Sequence, residues 1–586
     1  MFNYKPLIIV ALLSAAVYGN TLFNGFVWDD YGLIMNETLV QQANIKNLFS
    51  PEHYKNIPQE ERGRLRPMRV LTFIADRLIY GANAWGYHLT NLLLNTSCAI
   101  LVYLAALALF KNQVAALLSA AFFCVHPAHV ESVAWVKNRS DILCAIFFLL
   151  SLLAVLKLEG AARILAVFGS FTAAFLSKEI AVMIPLVIML MMYVYYSKEE
   201  FKKNIGWVAG LFVLAAVLLV LKEVYWKKEL MGGSGVFMDA YVQMRIVLYT
   251  LSKYFNILLV PVFLSVEHDV NLNVVPAGAV SWGMLVFAAA GLYIAGRYSY
   301  YRYIKQENDE LSKNLLFGYG FMMLAFIPIS NIVFLESRPI AEQRLYLPSI
   351  GFSFLIGNIA GAFSGQSEVA RLGDLLKDKA VLFMAVILVL FSVLTVQRNF
   401  VWKNDLSFWK EAAAVNPGHF RPNANLALIY YAEGDYEKAV KYFEVSGKHA
   451  NRAEFYYMTG MCYNFLDRYD RAIENYERFI KMSPNPKPDV YNNLGIVYDK
   501  MYVNYTGKKN SPELSEYRKF AEENYAKAIK LDSEYKEAWF NLAQFYAKTD
   551  RKALARKELL RFISAAKDIN DKKEAEDTLK EIEYGN

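Results

Sequence analysis

Long apolar segments impose the strongest constraint on what this chain can fold into. They recur between residues 7 and 397, and many reach about 20 residues, the length that a helix needs to cross a bilayer core. The chain has 586 residues, of which 55% are hydrophobic, and soluble chains of that length are rarely so apolar. The sequence therefore predicts a polytopic membrane protein. Its net charge of +7 is modest and its basic residues are scattered, so nucleic acid is not indicated as a partner.

The apolar segments predict about 11 transmembrane helices. They are residues 7–23, 88–110, 113–127, 141–157, 161–177, 179–196, 206–224, 278–297, 314–334, 341–363 and 379–397. A further run, 241–264, contains Arg245 and Lys253 and is either another span or a helix against the outer membrane surface. The second interpretation is favoured because an additional span would place the basic stretch SYYRYIKQ outside. The first segment is then a retained helix that also serves as the targeting signal, and everything after residue 398 lies outside.

The C-terminal part of the chain repeats. Its units contain FRPNANLALIYYAEGDYEKAVKYFE, AEFYYMTGMCYNFLDRYDRAIENYERFIKMSP, PDVYNNLGIVYDK and KEAWFNLAQFYAKTDRKALARKELL, and LSFWKEAAAVNPG resembles a partial leading unit. Small residues recur where the two helices of a unit touch, namely Gly460, Gly495 and Ala543 on the first helix and Ala439, Ala472, Ala521 and Ala555 on the second. The period of about 34 residues indicates tetratricopeptide repeats. We predict a membrane domain over residues 1–398 and a repeat domain over 405–586, with about four units and an insertion in the third.

Charged and aromatic residues are concentrated in the predicted outer loops and the adjoining helix ends. The stretches are WDDYG (28–32), RLRPMR (64–69), HPAHVESVAWVKNRSD (126–141), SKE (177–179), VEHDV (266–270) and ESRPIAEQRLYLP (336–348). Charges at membrane level are costly, so they usually mark function or tight pairing. This arrangement suits a site that receives an anionic lipid-linked donor from the bilayer and an acceptor from the water.

These residue types can be given chemical roles. Asp29 or Asp30 could take a proton from an attacking hydroxyl, with a pKa raised by partial desolvation. The cations Arg139, Lys178, Arg338 and Arg344 could hold a phosphate leaving group, and His126 and His129 could orient it or bind the sugar. Spacing alone does not select sugar transfer over other chemistry.

The motifs WDD, RPMR, HPAHVESVAWVKNRSDILCAIFFLLSLL, SKE and EQRLYLPSIGF resemble, in this order, those of the tetratricopeptide-containing transmembrane O-mannosyltransferases. These are relatives of the protein O-mannosyltransferases in the GT-C class, and the resemblance covers nearly the whole chain. It implies an all-α fold, in which a polytopic GT-C-type bundle of about 11 transmembrane helices precedes a soluble tetratricopeptide-repeat solenoid. The solenoid would face the periplasm or the endoplasmic-reticulum lumen.

The resemblance also implies a reaction. A dolichyl- or polyprenyl-phosphate-linked mannose would be the donor, and Ser or Thr hydroxyls of a protein would receive the sugar with inversion. Asp29 and Asp30 match the family's acid pair, with Asp29 expected to be the base. The predicted donor phosphate and sugar site comprises Arg66, Arg69, His126, His129, Glu131, Arg139, Asp141, Lys178, Glu179, Arg338, Glu342 and Arg344. The acceptor is expected along the concave face of the repeats, over residues 420–560.

No metal site is predicted, although some GT-C relatives need a divalent cation held by their acid pairs, which makes Asp29 and Asp30 the alternative metal site. Four repeat units are fewer than many family members carry, so the sugar and the acceptor stay open. The run Glu267, His268 and Asp269 is a weak metal candidate, because neighbouring residues rarely point together.

Each motif also has a purely structural interpretation. The acid pair could anchor a helix end, Arg66 and Arg69 could contact headgroups, His126 could terminate a helix, and Lys178–Glu179 could be a simple ion pair. Two other classes of function are a transporter or flippase for a lipid-linked substrate and a membrane-anchored repeat scaffold. The charges lie in loops rather than mid-span, which does not favour a transporter, and a scaffold needs only one span. A bacterial inner membrane or the endoplasmic reticulum is the expected location.

Overall fold

The computed structural model describes most of the chain, and the secondary structure in the part described is helical, as predicted. The described residues are 4–50, 66–226, 239–262, 264–268, 282–307, 309–332, 338–369, 373, 377–450, 452–505, 512–566 and 568–584. Contacts divide the chain into two compact units, Met1–Ala412 and Ala413–Asn586. Residues 405–412, which belong to the predicted partial leading repeat, therefore lie within the first unit.

The first unit is a bundle of α-helices joined by short 3₁₀ and π turns. Its α-helices are Lys5–Tyr18, Thr38–Gln41, Pro67–Tyr80, Ala84–Phe110, Gln113–Val125, Val130–Val133, Arg139–Lys157, Gly160–Ser177, Ile184–Tyr195, Lys198–Trp226, Ala240–Leu259, Trp282–Ser299, Glu310–Phe326, Pro348–Ser364, Lys379–Asn399 and the start of Asp405–Val415. The shorter turns are Gly19–Phe23, Tyr31–Met35, Pro127–His129, Val136–Asn138, Glu179–Met183, Tyr300–Lys305, Ile327–Ile329, Glu342–Leu345 and Phe400–Trp402.

Seven of the described helices are long and apolar enough to cross a membrane, and the number rises to eight if a bent pair counts as one span. That pair, Gln113–Val125 with Pro127–Val133, bends by 54°. The bend follows from Pro127, because the residue before a proline is excluded from the helical region, and His126 has ψ 121°. Two shorter apolar helices, Glu179–Tyr195 and Pro348–Ser364, accompany them. The count of about 11 spans stays a prediction.

Glycines let two helices of the bundle approach closely. A Cβ atom on Gly357 would lie 2.0 Å from the Ser119 hydroxyl, and one on Gly361 would lie 2.6 Å from the Ala115 methyl group. Small residues at such contacts are the usual basis of helix packing in membranes, where apolar burial against lipid gives little driving force. The helices Gln113–Val125 and Pro348–Ser364 are therefore held together through these glycines.

The second unit consists of helix pairs of the predicted repeats. Its helices are Phe420–Ala432, Tyr436–Ala450, Ala453–Phe465, Tyr469–Met482, Pro488–Tyr505, Pro512–Leu531, Lys536–Lys548, Lys552–Ala565 and Ile569–Tyr584. A Cβ atom on Gly460 would lie 2.7 Å from the Tyr476 ring and one on Gly495 2.6 Å from the Tyr525 ring, which confirms the predicted contact positions. The small residues predicted on the second helices, Ala439, Ala472, Ala521 and Ala555, are fully buried.

The insertion in the third unit lengthens its helices. Pro488–Tyr505 has 18 residues and Pro512–Leu531 has 20, whereas the corresponding helices of the second unit, Ala453–Phe465 and Tyr469–Met482, have 13 and 14. The extra residues therefore extend both helices at the end where they meet, and the Gly495–Tyr525 contact is preserved.

A substitution at Gly357 tests the helix contact in the membrane unit. Gly357→Val should lower the apparent melting temperature of the detergent-solubilised protein, because overpacking of this kind costs about 1–3 kcal/mol. Gly206→Val is the matched control, since a Cβ atom there meets nothing within 4 Å. Fluorescence-detected size exclusion after heating measures both variants. Equal melting curves for the two would contradict the proposed contact.

Candidate functional site

The two acids of the first loop lie in different environments. Asp30 is fully buried, and its carboxylate accepts the backbone N–H groups of Val27 at 3.1 Å and Lys137 at 2.8 Å. Asp29 forms an ion pair with the Lys137 side chain and keeps 13% of its side chain exposed. Asp29 is therefore the acid that a second reactant could reach, whereas Asp30 anchors the loop.

Burial raises the pKa of Asp30 to about 7, and this effect outweighs the two backbone N–H groups and the Lys137 charge, which all lower it. Small changes around a carboxyl with such a pKa change its protonation state near neutral pH. The carboxylate form is nevertheless the one that the two N–H donors fit, because each of its oxygens accepts one hydrogen bond. Asp30 thus ties the loop of residues 27–30 to the segment that begins at Lys137.

Lys137 was not among the residues predicted from the sequence. Its ammonium group pairs with Asp29 and lies 4.3 Å from the centre of the Trp135 ring, a cation–π contact that fixes the side chain. Lys137 lies in the stretch HPAHVESVAWVKNRSD (126–141), which we call the HP motif. Other residues of this motif were predicted to belong to the donor site, and this position is the signal that could have indicated Lys137. The structure places Lys137 closer to the acid pair than any of those residues.

A second group of charges follows directly along the chain. Asp141 pairs with Lys178, and Glu179 pairs with both Lys222 and Arg66, the latter at 3.5 Å. We call these five residues the cation-rich cluster, because three positive charges face two negative ones. An excess of one positive charge matches the single negative charge of a phosphodiester.

The cation-rich cluster is connected to the acid pair through the chain. Arg66 donates to the Ser140 hydroxyl at 2.8 Å, and Ser140 lies three residues after Lys137. Burial lowers the pKa of Lys178, while Asp141 opposes this shift. The structure thus brings together four residues of the predicted donor site, Arg66, Asp141, Lys178 and Glu179, and adds Lys222. Their role in donor binding stays a prediction. Lys222, near the end of the helix Lys198–Trp226, was not among the residues predicted from the sequence.

Arg139 is not part of this cluster. It is fully buried and pairs with Asp76 at 2.6 Å, while it also donates to the Asn91 side chain at 2.6 Å and the Tyr87 carbonyl at 2.9 Å. These partners occupy the guanidinium inside the protein. The predicted contact of Arg139 with the donor phosphate has no counterpart in this arrangement, which instead shows a buried structural ion pair.

Arg338 and Arg344 lie in a neighbouring group. Arg338 pairs with Glu131 at 2.9 Å and donates to the Val266 carbonyl at 2.6 Å. Glu131 also accepts the Gln343 N–H at 3.0 Å. Arg344 donates to the Pro339 and Arg338 carbonyls at 2.7 and 2.6 Å. Arg344 therefore stabilises the fold of residues 338–344, and Arg338 connects this segment to Glu131 and Val266.

Glu342 forms a third buried pair. It accepts the Ser265 N–H and contacts His268 at 3.2 Å and Arg398 at 3.5 Å. Burial would raise the pKa of Glu342, but Arg398 and His268 outweigh it and hold the pKa below its usual value. Arg398 also pairs with Glu411, so the end of the helix Lys379–Asn399 is joined to the residues that follow it.

The predicted sugar-orienting residues are enclosed by protein. His126 contacts the Leu258 carbonyl at 3.1 Å and accepts the Ala128 N–H at 3.3 Å. His129 contacts the Ser349 hydroxyl at 2.7 Å. Both histidines are 0% exposed and Arg69 is 2% exposed, so their observed contacts are structural, and a role in sugar binding stays a prediction.

The acid pair does not offer the ligand set of a divalent cation. The Lys137 ammonium is held against Asp29, and both oxygens of Asp30 accept backbone N–H groups. Among the described residues, no group of three or more His, Cys, Asp or Glu side chains could hold a metal ion. Asp269 of the weak candidate Glu267–Asp269 lies outside the described residues.

Comparison with known proteins agrees with the motifs. Residues 71–226 match the family described as dolichyl-phosphate-mannose-protein mannosyltransferase, and residues 420–444, 453–486 and 521–568 match tetratricopeptide repeats. Protein O-mannosyl-transferase TMTC3 of Mus musculus is 23% identical over 95% of this chain and 64% of its own length. TMTC3 of Homo sapiens is 22% identical over 95% and 64%, and Tmtc3 of Drosophila melanogaster is 24% identical over 94% and 66%.

A solved structure, that of the MamA protein, covers 31% of this chain at 20% identity with a TM-score of 0.24, and a likeness at this level does not establish a shared fold. The helices and the sequence matches define the class, an all-α, multi-pass membrane protein with tetratricopeptide repeats. More particularly, the chain is similar to the tetratricopeptide-containing protein O-mannosyl-transferases, which confirms the predicted resemblance. It spans 64% of the length of the mouse and human relatives.

The buried pair of Arg139 with Asp76 generates a prediction about stability. Asp76→Leu should cost about 3–5 kcal/mol, because it leaves the Arg139 charge buried without its partner. The double variant Asp76→Leu with Arg139→Met removes both charges and should recover most of that loss. Thermal unfolding in detergent measures the variants, and Arg77→Met on the same helix is the control. An Arg139→Met protein with wild-type stability and weakened donor binding would support the donor role instead.

Proposed function

We propose that this protein is a GT-C glycosyltransferase that moves a sugar, mannose in the first instance, from a polyprenyl- or dolichyl-phosphate donor to Ser or Thr hydroxyls of proteins. The relatives that carry the name protein O-mannosyl-transferase support the reaction class. The family match over residues 71–226 supports mannose and a lipid-phosphate carrier. Transfer takes place on the periplasmic or lumenal face of a bacterial inner membrane or the endoplasmic reticulum.

One observation carries the proposal beyond the resemblance. The partly exposed carboxylate of Asp29 and the cation-rich cluster are held by a single stretch of chain, because Lys137 binds Asp29 while Ser140 and Asp141 bind Arg66 and Lys178. A base and an excess of positive charge are the two components that transfer from a phosphodiester requires.

The residues suggest how the reaction proceeds. Asp29 takes the proton of the acceptor hydroxyl, and the hydroxyl oxygen attacks the anomeric carbon of the sugar. The bond between that carbon and the phosphate oxygen breaks in the same step, its electron pair leaves with the lipid phosphate, and the configuration is inverted. The negative charge on the phosphate grows during this step, and the cation-rich cluster of Arg66, Lys178 and Lys222 stabilises it.

The repeats would supply the acceptor. Tetratricopeptide repeats stack into a solenoid whose concave surface suits an extended polypeptide. The predicted helix contacts at Gly460 and Gly495 are present in this chain. The concave face over residues 420–560 is the proposed acceptor-binding surface.

The acid pair provides a test that separates two roles. Asp29→Asn should reduce the turnover number by about 100- to 10,000-fold, the usual loss when a general base is removed, and should leave thermal stability unchanged. Asp30→Asn should lower both activity and stability, because an amide has only one acceptor oxygen for the two N–H groups of Val27 and Lys137. Turnover and thermal unfolding are measured on the same preparations. Wild-type turnover in Asp29→Asn would contradict its role as the base.

The reaction class is tested by transfer in vitro. Purified protein receives radiolabelled polyprenyl-phosphate-mannose and a mixture of envelope proteins, with Asp29→Asn as the inactive control and Asp577→Asn, on an exposed ion pair with Lys580, as the active one. We expect label on protein that survives Asp577→Asn and disappears with Asp29→Asn. Absence of transfer from this and from other lipid-linked sugars would overturn the proposal and favour the transporter or scaffold functions.

A further inference from the structure

The segment that follows the last candidate span packs against the acid-bearing loop. We call residues 400–412 the post-span segment, and all of it belongs to the first unit. The Gly25 N–H donates to the Lys403 carbonyl at 2.9 Å, and the Asn24 side chain donates to the Asn399 carbonyl at 3.2 Å. Although about 375 residues separate the two stretches in sequence, hydrogen bonds hold them directly against each other.

Trp28, directly before the acids, has an unusual backbone. Its φ is 50°, in the left-handed region that a bulky residue rarely adopts without external support. Its amide N–H donates to the Asp405 carboxylate at 2.8 Å. Residues in such conformations cluster at functional sites, where surrounding contacts hold them in place.

Aromatic side chains hold the same residue from two sides. The Trp28 ring stacks on Trp135 with centroids 5.2 Å apart and an angle of 8°, and it meets Trp409 of the post-span segment edge-on at 5.1 Å and 62°. Trp402 stacks on the other partner, Trp135, at 5.2 Å. Trp135, Trp402 and Trp409 are almost completely buried. The position of Trp28 is therefore determined by the post-span segment as well as by the HP motif.

We propose that Asp405 is a positioning residue for the transfer reaction: through its hydrogen bond to the Trp28 N–H it holds the left-handed turn that directs Asp29 towards the reactants. This inference rests on the proposed function, since it assigns Asp405 to the same site. Asp405 does not touch the reacting atoms. It fixes the peptide group one residue before the base.

Geometry explains why the contact matters. The peptide unit that carries the Trp28 N–H directly precedes the residue whose φ is positive. Loss of Asp405 therefore removes the hydrogen bond that connects this turn, at Trp28, to the post-span segment. A relaxed turn would move the Asp29 carboxylate relative to the acceptor hydroxyl. A misplacement of about 1 Å can cost about 100-fold in rate even when the chemical groups are intact.

A second role for Asp405 must be distinguished from positioning. Asp405 is the first residue of the helix Asp405–Val415, and a negative charge in that position is favourable by itself. Two conservative variants separate the roles. Asp405→Asn keeps an acceptor oxygen in the same place and removes the charge, whereas Asp405→Glu keeps the charge and displaces the oxygens by one methylene group.

The experiment compares Asp405→Asn, Asp405→Glu and Asp405→Ala in the full-length protein, with Asp577→Ala as the control. The turnover number and the KM for polyprenyl-phosphate-mannose are measured, and hydrogen–deuterium exchange is followed in peptides that cover residues 24–34. We expect turnover to fall about 10- to 100-fold in Asp405→Ala with an unchanged KM for the donor, and exchange at residues 24–34 to increase. Asp405→Asn should retain more turnover than Asp405→Glu.

Retention of more turnover in Asp405→Glu than in Asp405→Asn would overturn positioning in favour of the helix-terminus charge. Unchanged exchange at residues 24–34 in an inactive Asp405→Ala protein would overturn it as well. If Asp405→Ala does not fold, the comparison of the Asn and Glu variants decides alone. An inactive wild-type protein would mean that the proposed function fails, whereas an active wild type with an equally active Asp405→Ala would mean that only this inference fails.

Discussion

The site depends on one turn of chain, residues 137–141, in which successive residues each reach a different partner. Lys137 binds both acids of the first loop, one through its side chain and one through its backbone N–H. Arg139 reaches Asp76, Ser140 reaches Arg66, and Asp141 reaches Lys178. A charge withdrawn from water at membrane level needs a partner, so these contacts fix four separate stretches of chain relative to one another.

The charged groups differ in how completely nearby opposite charges neutralise them. This difference distinguishes the ion pairs that stabilise the fold from the cluster proposed to bind the donor. The pair of Arg139 with Asp76 is almost completely buried, and Arg338 lies against Glu131 with Glu267 and Glu342 also acting on its charge, so both arginines are balanced by carboxylates inside the fold. In the cation-rich cluster, three cations share two carboxylates. Among the described residues this leaves an excess of one positive charge, which is why the cluster is the proposed site for the donor phosphate.

Periodicity and residue type were sufficient to predict the helices and the repeats. Apolar runs gave the all-α membrane bundle, and small residues such as Gly495 gave the helix contacts, because these features depend on local spacing. Motif resemblance led to the prediction that Asp29 is the base, which stays a prediction. The ion pairs could not be predicted in this way, because nothing in the local sequence connects Arg139 with Asp76 or Lys222 with Glu179. Asp405 was predicted to belong to the partial leading repeat. Its hydrogen bond with the Trp28 N–H depends on the tertiary structure and could not be predicted from local sequence.

Two adjacent carboxylates need not share one task. Consecutive residues of a turn point in different directions, so a doublet of acids places one side chain inwards and one outwards. Asp30 is enclosed and satisfied by two backbone N–H groups, whereas Asp29 keeps 13% of its side chain exposed and pairs with the Lys137 ammonium group. The inner acid holds the loop in a conformation that Trp28 would not adopt alone, and the outer acid is thereby presented in a fixed orientation. In the proposed reaction, the acid that holds the loop and the acid that takes the proton are therefore different residues, Asp30 and Asp29.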